Sequence, residues 1–183
     1  PATIASIRET LDDAAARAGR PFALMEVCGT HTMAIHRHGL HALFPPGMRL
    51  ISGPGCPVCV TAQGLIDQVV ALARRPDVTV ATFGDMVRVP GTESSLERER
   101  ARGADVRIVY SPNDAVSLAA SDAGREVVFI GIGFETTAPT IAGALLEARR
   151  RGLKNFSIVA AGKRVMPALE ALVQSGEVRI DGL

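Results

Sequence analysis

The chain has 183 residues, enough for one α/β domain or two small ones. A net charge of +1 and an aromatic content of 4% argue against a nucleic-acid-binding surface, which would need a basic patch or stacking side chains. No apolar run approaches the roughly 18–20 residues of a membrane-spanning helix, so neither nucleic acid nor membrane is expected as a partner.

Apolar runs alternate with helical patterns along the whole chain. A first helix is predicted over residues 4–18. The predicted strands follow at residues 22–27, 48–52, 78–82, 106–110, 127–132, 156–160 and 178–180. The predicted helices between them lie at residues 31–43, 62–74, 94–102, 114–120, 140–151 and 165–174. Most of the strands are continuously apolar, which is typical of strands buried on both faces of a parallel sheet.

This repeated strand-then-helix order predicts an α/β fold. Seven strands could form one sheet, but the loop motifs fall into two groups. We therefore predict two similar small units with mainly parallel sheets flanked by helices. The first, residues 1–122, carries the cysteine motifs, and the second covers residues 123–183. The chain begins with Pro1 and ends where an apolar segment has just started, which predicts a fragment with an incomplete second domain.

The chain has three cysteines, Cys28, Cys56 and Cys59. A secreted disulfide framework favours an even number of cysteines, so the odd number indicates functional thiols in a reducing compartment. No secretory signal precedes the first predicted helix. A cytoplasmic protein is the resulting expectation.

Thiols and carboxylates follow the predicted strands at the points where these end. Cys28 follows the first strand, Cys56 and Cys59 the second, Asp85 the third and Glu135 the fifth. Ligands of open α/β sheets bind at the carboxyl ends of the strands. These Gly- and Pro-rich loops therefore predict one composite site.

The Cys56-x-x-Cys59 pair precedes a predicted helix that Thr61 could cap. A helix N-terminus stabilises a thiolate and lowers its pKa, which suits a nucleophile, a redox partner or a metal ligand. A structural zinc site would need a second Cys/His pair at suitable spacing. A zinc-binding module therefore remains an alternative, with an incomplete set of ligands. Two inert buried cysteines are the remaining alternative.

Cys28 occupies a similar position, with Thr30 as the candidate cap of the next helix. All histidines of the chain lie in this helix region, at His31, His36, His38 and His41. By helical spacing, His38 shares a face with His31 and with His41. A thiolate beside imidazoles suits iron, zinc or copper. The alternative is that these histidines are solvent-exposed helix residues that bind no metal. His31 is the candidate ligand because it adjoins the Cys28 loop.

Asp85 and Glu135 are candidate catalytic residues, as proton carriers, or ligands, with helix capping as the alternative for each. Arg88 could pair with a carboxylate in this region or be solvated. The Gly-Ile-Gly segment at residues 131–133 lacks the third glycine of a dinucleotide-binding motif. The Gly-Lys-Arg segment at residues 162–164 lacks the spacing and the Ser/Thr of a phosphate loop, so no nucleotide site is predicted.

Four loops carry long motifs in a fixed order. They read CGTH at residues 28–31, GPGCPVCVT at 53–61, FGDMVRVPG at 83–91 and GFETTAP at 133–139. Together these motifs resemble those of the HypD family of nickel–iron hydrogenase maturation factors. The resemblance extends from about residue 22 to the end of the chain.

The resemblance implies an assembly scaffold for an iron centre with two cyanides and one carbon monoxide, Fe(CN)2CO. HypD-like proteins work with a small partner, HypC, and receive cyanide through HypE and HypF. By motif match, Cys28 would be the iron ligand from this chain, a partner cysteine would supply another, and His31 would lie beside them. Cys56 and Cys59 would form a redox-active dithiol next to the same site.

Two features depart from the family. HypD-like proteins carry a further cysteine-containing region that holds a 4Fe-4S cluster, and this chain stops before it. The AGKRVMP segment at residues 161–167 also differs from the family's usual form, so no role is implied for it. The rival prediction, from the residues alone, is a thiol–disulfide oxidoreductase in which Cys56 and Cys59 cycle and Cys28 is incidental.

Overall fold

The strands lie in two parallel sheets, one of two strands and one of four, in a computed structural model that describes residues 2–183. The predicted α/β class is therefore confirmed. The chain divides into two units: unit 1 contains the residues up to Cys56 together with Val165–Leu183, and unit 2 contains Pro57–Arg164.

The elements follow one another as alternating strands and helices. The strands are β1 (Phe22–Glu26), β2 (Met48–Ser52), β3 (Val78–Thr82), β4 (Val106–Ile108), β5 (Glu126–Gly133) and β6 (Phe156–Gly162). The α-helices are α1 (Ala2–Ala18), α2 (Gly29–Arg37), α3 (Gln63–Ala73), α4 (Leu96–Ala101), α5 (Pro112–Ser121), α6 (Ala138–Arg150) and α7 (Met166–Ser175). Among residues 2–183, no helix is both long and apolar enough to cross a membrane.

Unit 1 is built on the pair β1–β2, with Leu24 opposite Leu50. The strand predicted at residues 178–180 is wrong, because the chain meets β1 slightly later, through a single parallel bridge between Gly182 and Leu24. Just before this bridge, the Asp181 carboxylate accepts a hydrogen bond from the N–H of Ala23 (2.8 Å). An apolar pattern cannot reveal a contact made by a carboxylate.

The helix predicted over residues 31–43 is divided in two. α2 ends at Arg37, and Gly39 has a left-handed backbone conformation with φ of 62°. A short 3-10 helix, Leu40–Leu43, follows. The glycine ends α2 because a left-handed residue cannot continue the helix.

Unit 2 has the strand order β4-β3-β5-β6, with all strands parallel. Its two central strands, β3 and β5, are buried along nearly their whole length, and Val80, Phe129 and Ile130 are fully buried. α3 packs on this sheet through an apolar stripe at helical spacing, formed by Ile66, Val69, Val70 and Ala73. The core of the unit therefore lies between the sheet and its helices.

The predicted domain boundary near Asp122 lies inside unit 2. β3 precedes this point and β5 follows it, yet the two strands pair directly, with Val80 opposite Val128. Both flanks of the predicted boundary therefore belong to one sheet.

The buried carboxylate of Glu99 links α4 to the end of α3 and to the segment before α4. Glu99 is only 4% exposed, accepts a hydrogen bond from the Ser94 hydroxyl, and binds Arg74 (3.1 Å) and Arg102 (2.8 Å). Hydrogen bonds from Arg74 and then Ser94 lower the pKa of Glu99 to about 2.

Acid should remove the contribution of Glu99 to stability. Its pKa of about 2 in the folded chain lies below its ordinary 4.5, so the stabilisation is complete above pH 4.5 and is lost as pH falls towards 2. We expect Glu99→Gln to unfold at a lower Tm than wild type at pH 7. The difference in Tm should shrink between pH 4.5 and pH 2. A difference that stays constant down to pH 2, or an equal loss in the exposed Glu97→Gln control, would contradict this assignment.

Candidate functional site

Cys28 lies between the end of β1 and the first turn of α2, as the N-cap residue of that helix. Its thiol is free and partly exposed. The sulfur makes no cap hydrogen bond, but the backbone N–H groups of His31 and then Thr30 face it and lower the pKa of the thiol. Burial and the charge of Glu26 oppose this effect without reversing it. Cys28 is therefore disposed to react or to bind a metal as a thiolate.

The two predicted threonine caps are both wrong. Cys28, not Thr30, is the N-cap residue of α2, and Ala62, not Thr61, is the N-cap residue of α3. The Thr61 hydroxyl instead donates to the carbonyl oxygen of Pro57 (2.8 Å). Local turn geometry has displaced each cap by one or two residues.

Glu26, the last residue of β1, contacts the Cys28 loop and Gly53, the first residue of the loop that leads to Cys56. Its carboxylate accepts hydrogen bonds from the Thr32 hydroxyl and the Cys28 N–H (3.4 Å), and its carbonyl oxygen accepts one from the Gly53 N–H (2.8 Å). Burial alone would raise the pKa of Glu26, but hydrogen bonds from Thr32, Ser52 and Cys28 together lower it. Sequence reasoning missed this residue, and the only available signal was a carboxylate two positions before Cys28.

The backbones of the two cysteine loops approach closely at Gly55. A Cβ atom on Gly55 would lie 2.7 Å from the nitrogen of Gly29 and 3.0 Å from the Cα of Cys28. No real Cβ tolerates such distances, so only glycine fits here. Residues 53–61, which carry Cys56 and Cys59, are called the dithiol loop below. Because Gly55 directly precedes Cys56, the structure brings the Cys28 loop and the start of the dithiol loop together within unit 1.

Cys56 and Cys59 are joined by a disulfide. Cys59 is exposed and Cys56 is partly exposed, which excludes the alternative of two inert buried cysteines. Val58, between them, packs against the core of unit 2. A disulfide in this position is open to attack by an external thiolate.

The four histidines are all exposed. His31 lies in the first turn of α2, beside Cys28. The prediction that His38 and His41 share a helical face is wrong because α2 ends before Gly39, and the ring of His41 instead lies 4.5 Å from that of His36. Across residues 2–183, no three His, Cys, Asp or Glu side chains are grouped as a metal site.

Asp85 and Glu135 lie in unit 2, in exposed turns after β3 and β5. Asp85 makes no side-chain cap, and the N-cap residue of α6 is Thr137 rather than Glu135. Arg88 pairs with Glu97 at 3.7 Å, and both side chains are largely exposed. Asp85 and Glu135 follow strands of the four-stranded sheet, whereas Cys28 follows a strand of the two-stranded sheet.

Comparison with known sequences decides the family. Residues 2–183 match the model of the family described as "HypD: Hydrogenase formation hypA family". The chain belongs to the HypD family. The resemblance found in the four loop motifs is thereby confirmed, and both cysteine loops described above lie within the HypD match.

The curated HypD relatives are similar to this chain over most of its length. The hydrogenase maturation factor HypD of Rhodobacter capsulatus is 47% identical over 179 residues, or 98% of this chain and 48% of that protein. HypD of Escherichia coli is 47% identical over 178 residues, with 97% and 48% covered. HypD of Azotobacter vinelandii is 48% identical over 161 residues, with 87% and 42% covered. The chain thus spans about half the length of these HypD proteins.

Proposed function

We propose that this HypD-family chain acts in nickel–iron hydrogenase maturation as an assembly scaffold. It holds iron on the Cys28 thiolate while the Fe(CN)2CO group is built. The observation that carries this proposal is the free, partly exposed Cys28 thiol at the head of α2, with a lowered pKa. A soft thiolate suits a low-spin iron that carries strong-field diatomic ligands. The curated relatives that bear the name hydrogenase maturation factor support the same process.

The iron is the cargo of this scaffold. In the proposal, a HypC-type small protein provides a second cysteine ligand, and a HypE-type protein, served by HypF, donates cyanide in the cytoplasm. His31 supports the cargo from the first turn of α2, next to Cys28. In the same proposal, full-length HypD-type proteins hold a 4Fe-4S cluster outside residues 1–183.

We assign a redox role to the Cys56–Cys59 disulfide in the same proposal. Reduction by a dithiol breaks the sulfur–sulfur bond, adds two electrons and two protons, and leaves two thiols while the reductant becomes a disulfide. The exposure of Cys59 supports this role, as does the contact of Gly55 with the Cys28 loop. Asp85 and Glu135 remain candidate proton carriers in unit 2.

A thiol–disulfide oxidoreductase is the second candidate function. The exposed disulfide favours it, since Cys-x-x-Cys pairs at such positions exchange readily with other thiols. In this alternative Cys28 is incidental, so Cys28→Ala would leave the exchange activity intact.

Infrared spectroscopy separates the two candidates. The full natural chain is co-purified with its small partner under iron supply, as wild type and as Cys28→Ala. We expect cyanide and carbon monoxide stretching bands in the wild type and their complete loss in the variant, because the variant lacks the thiolate that holds the iron. Equal Tm values of the two proteins would show that the variant is folded.

Two other outcomes would change the proposal. Bands that persist unchanged in Cys28→Ala would remove Cys28 as the ligand. An absence of bands in both proteins, despite a confirmed complex and iron supply, would favour the oxidoreductase.

A further inference from the structure

We propose that Glu26 is a positioning residue, which fixes Cys28 at the head of α2 and holds the Cys28 loop beside the loop that leads to Cys56. The hydrogen bonds and close contacts of Glu26 in unit 1 carry this inference. Its consequence for iron loading rests on the proposed function.

The carboxylate of Glu26 binds both ends of the first turn of α2. One carboxylate oxygen accepts a hydrogen bond from the Thr32 hydroxyl, and the other accepts one from the Cys28 N–H (3.4 Å). The N–H groups of His31 and Thr32 in turn donate to the carbonyl oxygen of Cys28, at 2.9 and 3.1 Å. The turn is thus closed by its own backbone and tied to β1 by one side chain, which leaves the Cα–Cβ bond of Cys28 little freedom.

The main chain of Glu26 holds the other loop. Glu26 lies opposite Ser52 in the β1–β2 register, and its carbonyl oxygen accepts the Gly53 N–H at 2.8 Å. A Cβ on Gly53 would lie 3.0 Å from that oxygen and 2.6 Å from Cγ of Met25. The dithiol loop therefore starts in tight contact with the residue whose side chain secures Cys28.

The chemistry of this contact requires two acceptor oxygens at a fixed reach. A glutamine offers one oxygen to Thr32, but its amide nitrogen cannot accept from the Cys28 N–H. An alanine offers neither. We therefore expect a graded series, in which Glu26→Gln keeps part of the positioning of Cys28 and Glu26→Ala loses it.

Hydrogen exchange of the iron-free full natural chain tests the positioning by itself. We expect Glu26→Ala to speed exchange of the amides in residues 28–33 by about tenfold, as for loss of a hydrogen bond to a charged group. Amides of the β1–β2 ladder distant from Glu26, such as Leu24 and Leu50, should keep their wild-type rates. Thr32→Val should reproduce part of the effect, and adding it to Glu26→Ala should have little further effect because both remove the same contact.

Glu126→Ala is the matched control. Glu126 begins β5 in unit 2 and accepts a hydrogen bond from the Ser157 hydroxyl, as Glu26 does from Thr32. Its loss should leave the exchange of residues 28–33 unchanged. Unchanged exchange in Glu26→Ala, or an even increase throughout unit 1, would overturn the inference, since the latter indicates a general structural role.

Infrared intensities test the consequence for loading. We expect Glu26→Ala to lower the cyanide and carbon monoxide bands roughly fivefold or more, with Glu26→Gln intermediate. Wild-type intensities in Glu26→Ala would overturn the inference. If the wild type shows no bands, the proposed function fails, while the exchange experiment still decides whether Glu26 positions Cys28.

Discussion

Replacing Gly55 by alanine should push the Cys28 loop away from the segment that leads to Cys56 and lower the stability of unit 1 by about 1–3 kcal/mol. The new Cβ would lie 2.7 Å from the Gly29 nitrogen and 3.0 Å from the Cα of Cys28, and both are backbone atoms that cannot rotate away. Gly55 is not among the glycines with positive φ, so its conformation suits alanine and the cost is steric alone. Urea unfolding measures the stability, and the intensities of the cyanide and carbon monoxide infrared bands measure iron loading. Both the free energy of unfolding and the band intensities should fall in Gly55→Ala.

Gly64→Ala is the control for this experiment. Gly64 lies in the first turn of α3, and a Cβ there meets no atom within 4 Å. The same substitution should therefore be neutral or stabilising, by up to about 1 kcal/mol from helix propensity. If Gly55→Ala also proves neutral, the close approach of the two loops is absent in solution.

Replacing Phe129 by alanine should destabilise unit 2 by about 3–5 kcal/mol. Phe129 is fully buried in the central strand β5 and packs edge-to-face on Phe83, with ring centroids 5.5 Å apart. Its removal takes away both apolar burial and the packing of its neighbours, and the strand ladders on either side cannot close the cavity. Urea unfolding of the full natural chain measures the loss.

Tyr110→Ala is the matched aromatic control. Tyr110 is 92% exposed, and its main-chain N–H, which donates to Asp114, survives the substitution. The change in stability should stay within about 0.5 kcal/mol. Equal losses in the two variants would contradict the assignment of the core.

Strands with strong apolar character could be predicted from the sequence almost residue by residue. β2 and β3 have the predicted bounds, and β5 differs by one residue at each end. The burial of β3 and β5 in a parallel sheet leaves little choice of side chain, so the local pattern and the fold agree there. The position in the chain at which the strands divide into two sheets was harder to predict than the strands themselves. Sequence order does not reveal that β3 pairs with β5 across the predicted boundary.

The cysteine loops could be found from the sequence, but their internal contacts could not. The placement of Cys28 after β1 and of Cys56 after β2 followed from strand order alone. The hydrogen bond from the Gly53 N–H to the Glu26 carbonyl oxygen and the steric fit of Gly55 are contacts between separate loops, which propensity and periodicity do not reveal. Cap positions also failed, since Cys28 rather than Thr30 begins α2.

The arrangement of unit 1 has a consequence for biosynthesis. Its two parts are separated in the sequence by the whole of unit 2, residues 57–164, and the bridge from Gly182 to Leu24 joins the two parts. A ribosome releases the N-terminal part first, so the Cys28 loop emerges long before the segment that completes its unit. Unit 2 is continuous and can fold while translation proceeds. If the chain carries iron as proposed, loading should therefore follow the completion of unit 1, after synthesis of the segment that contains Gly182.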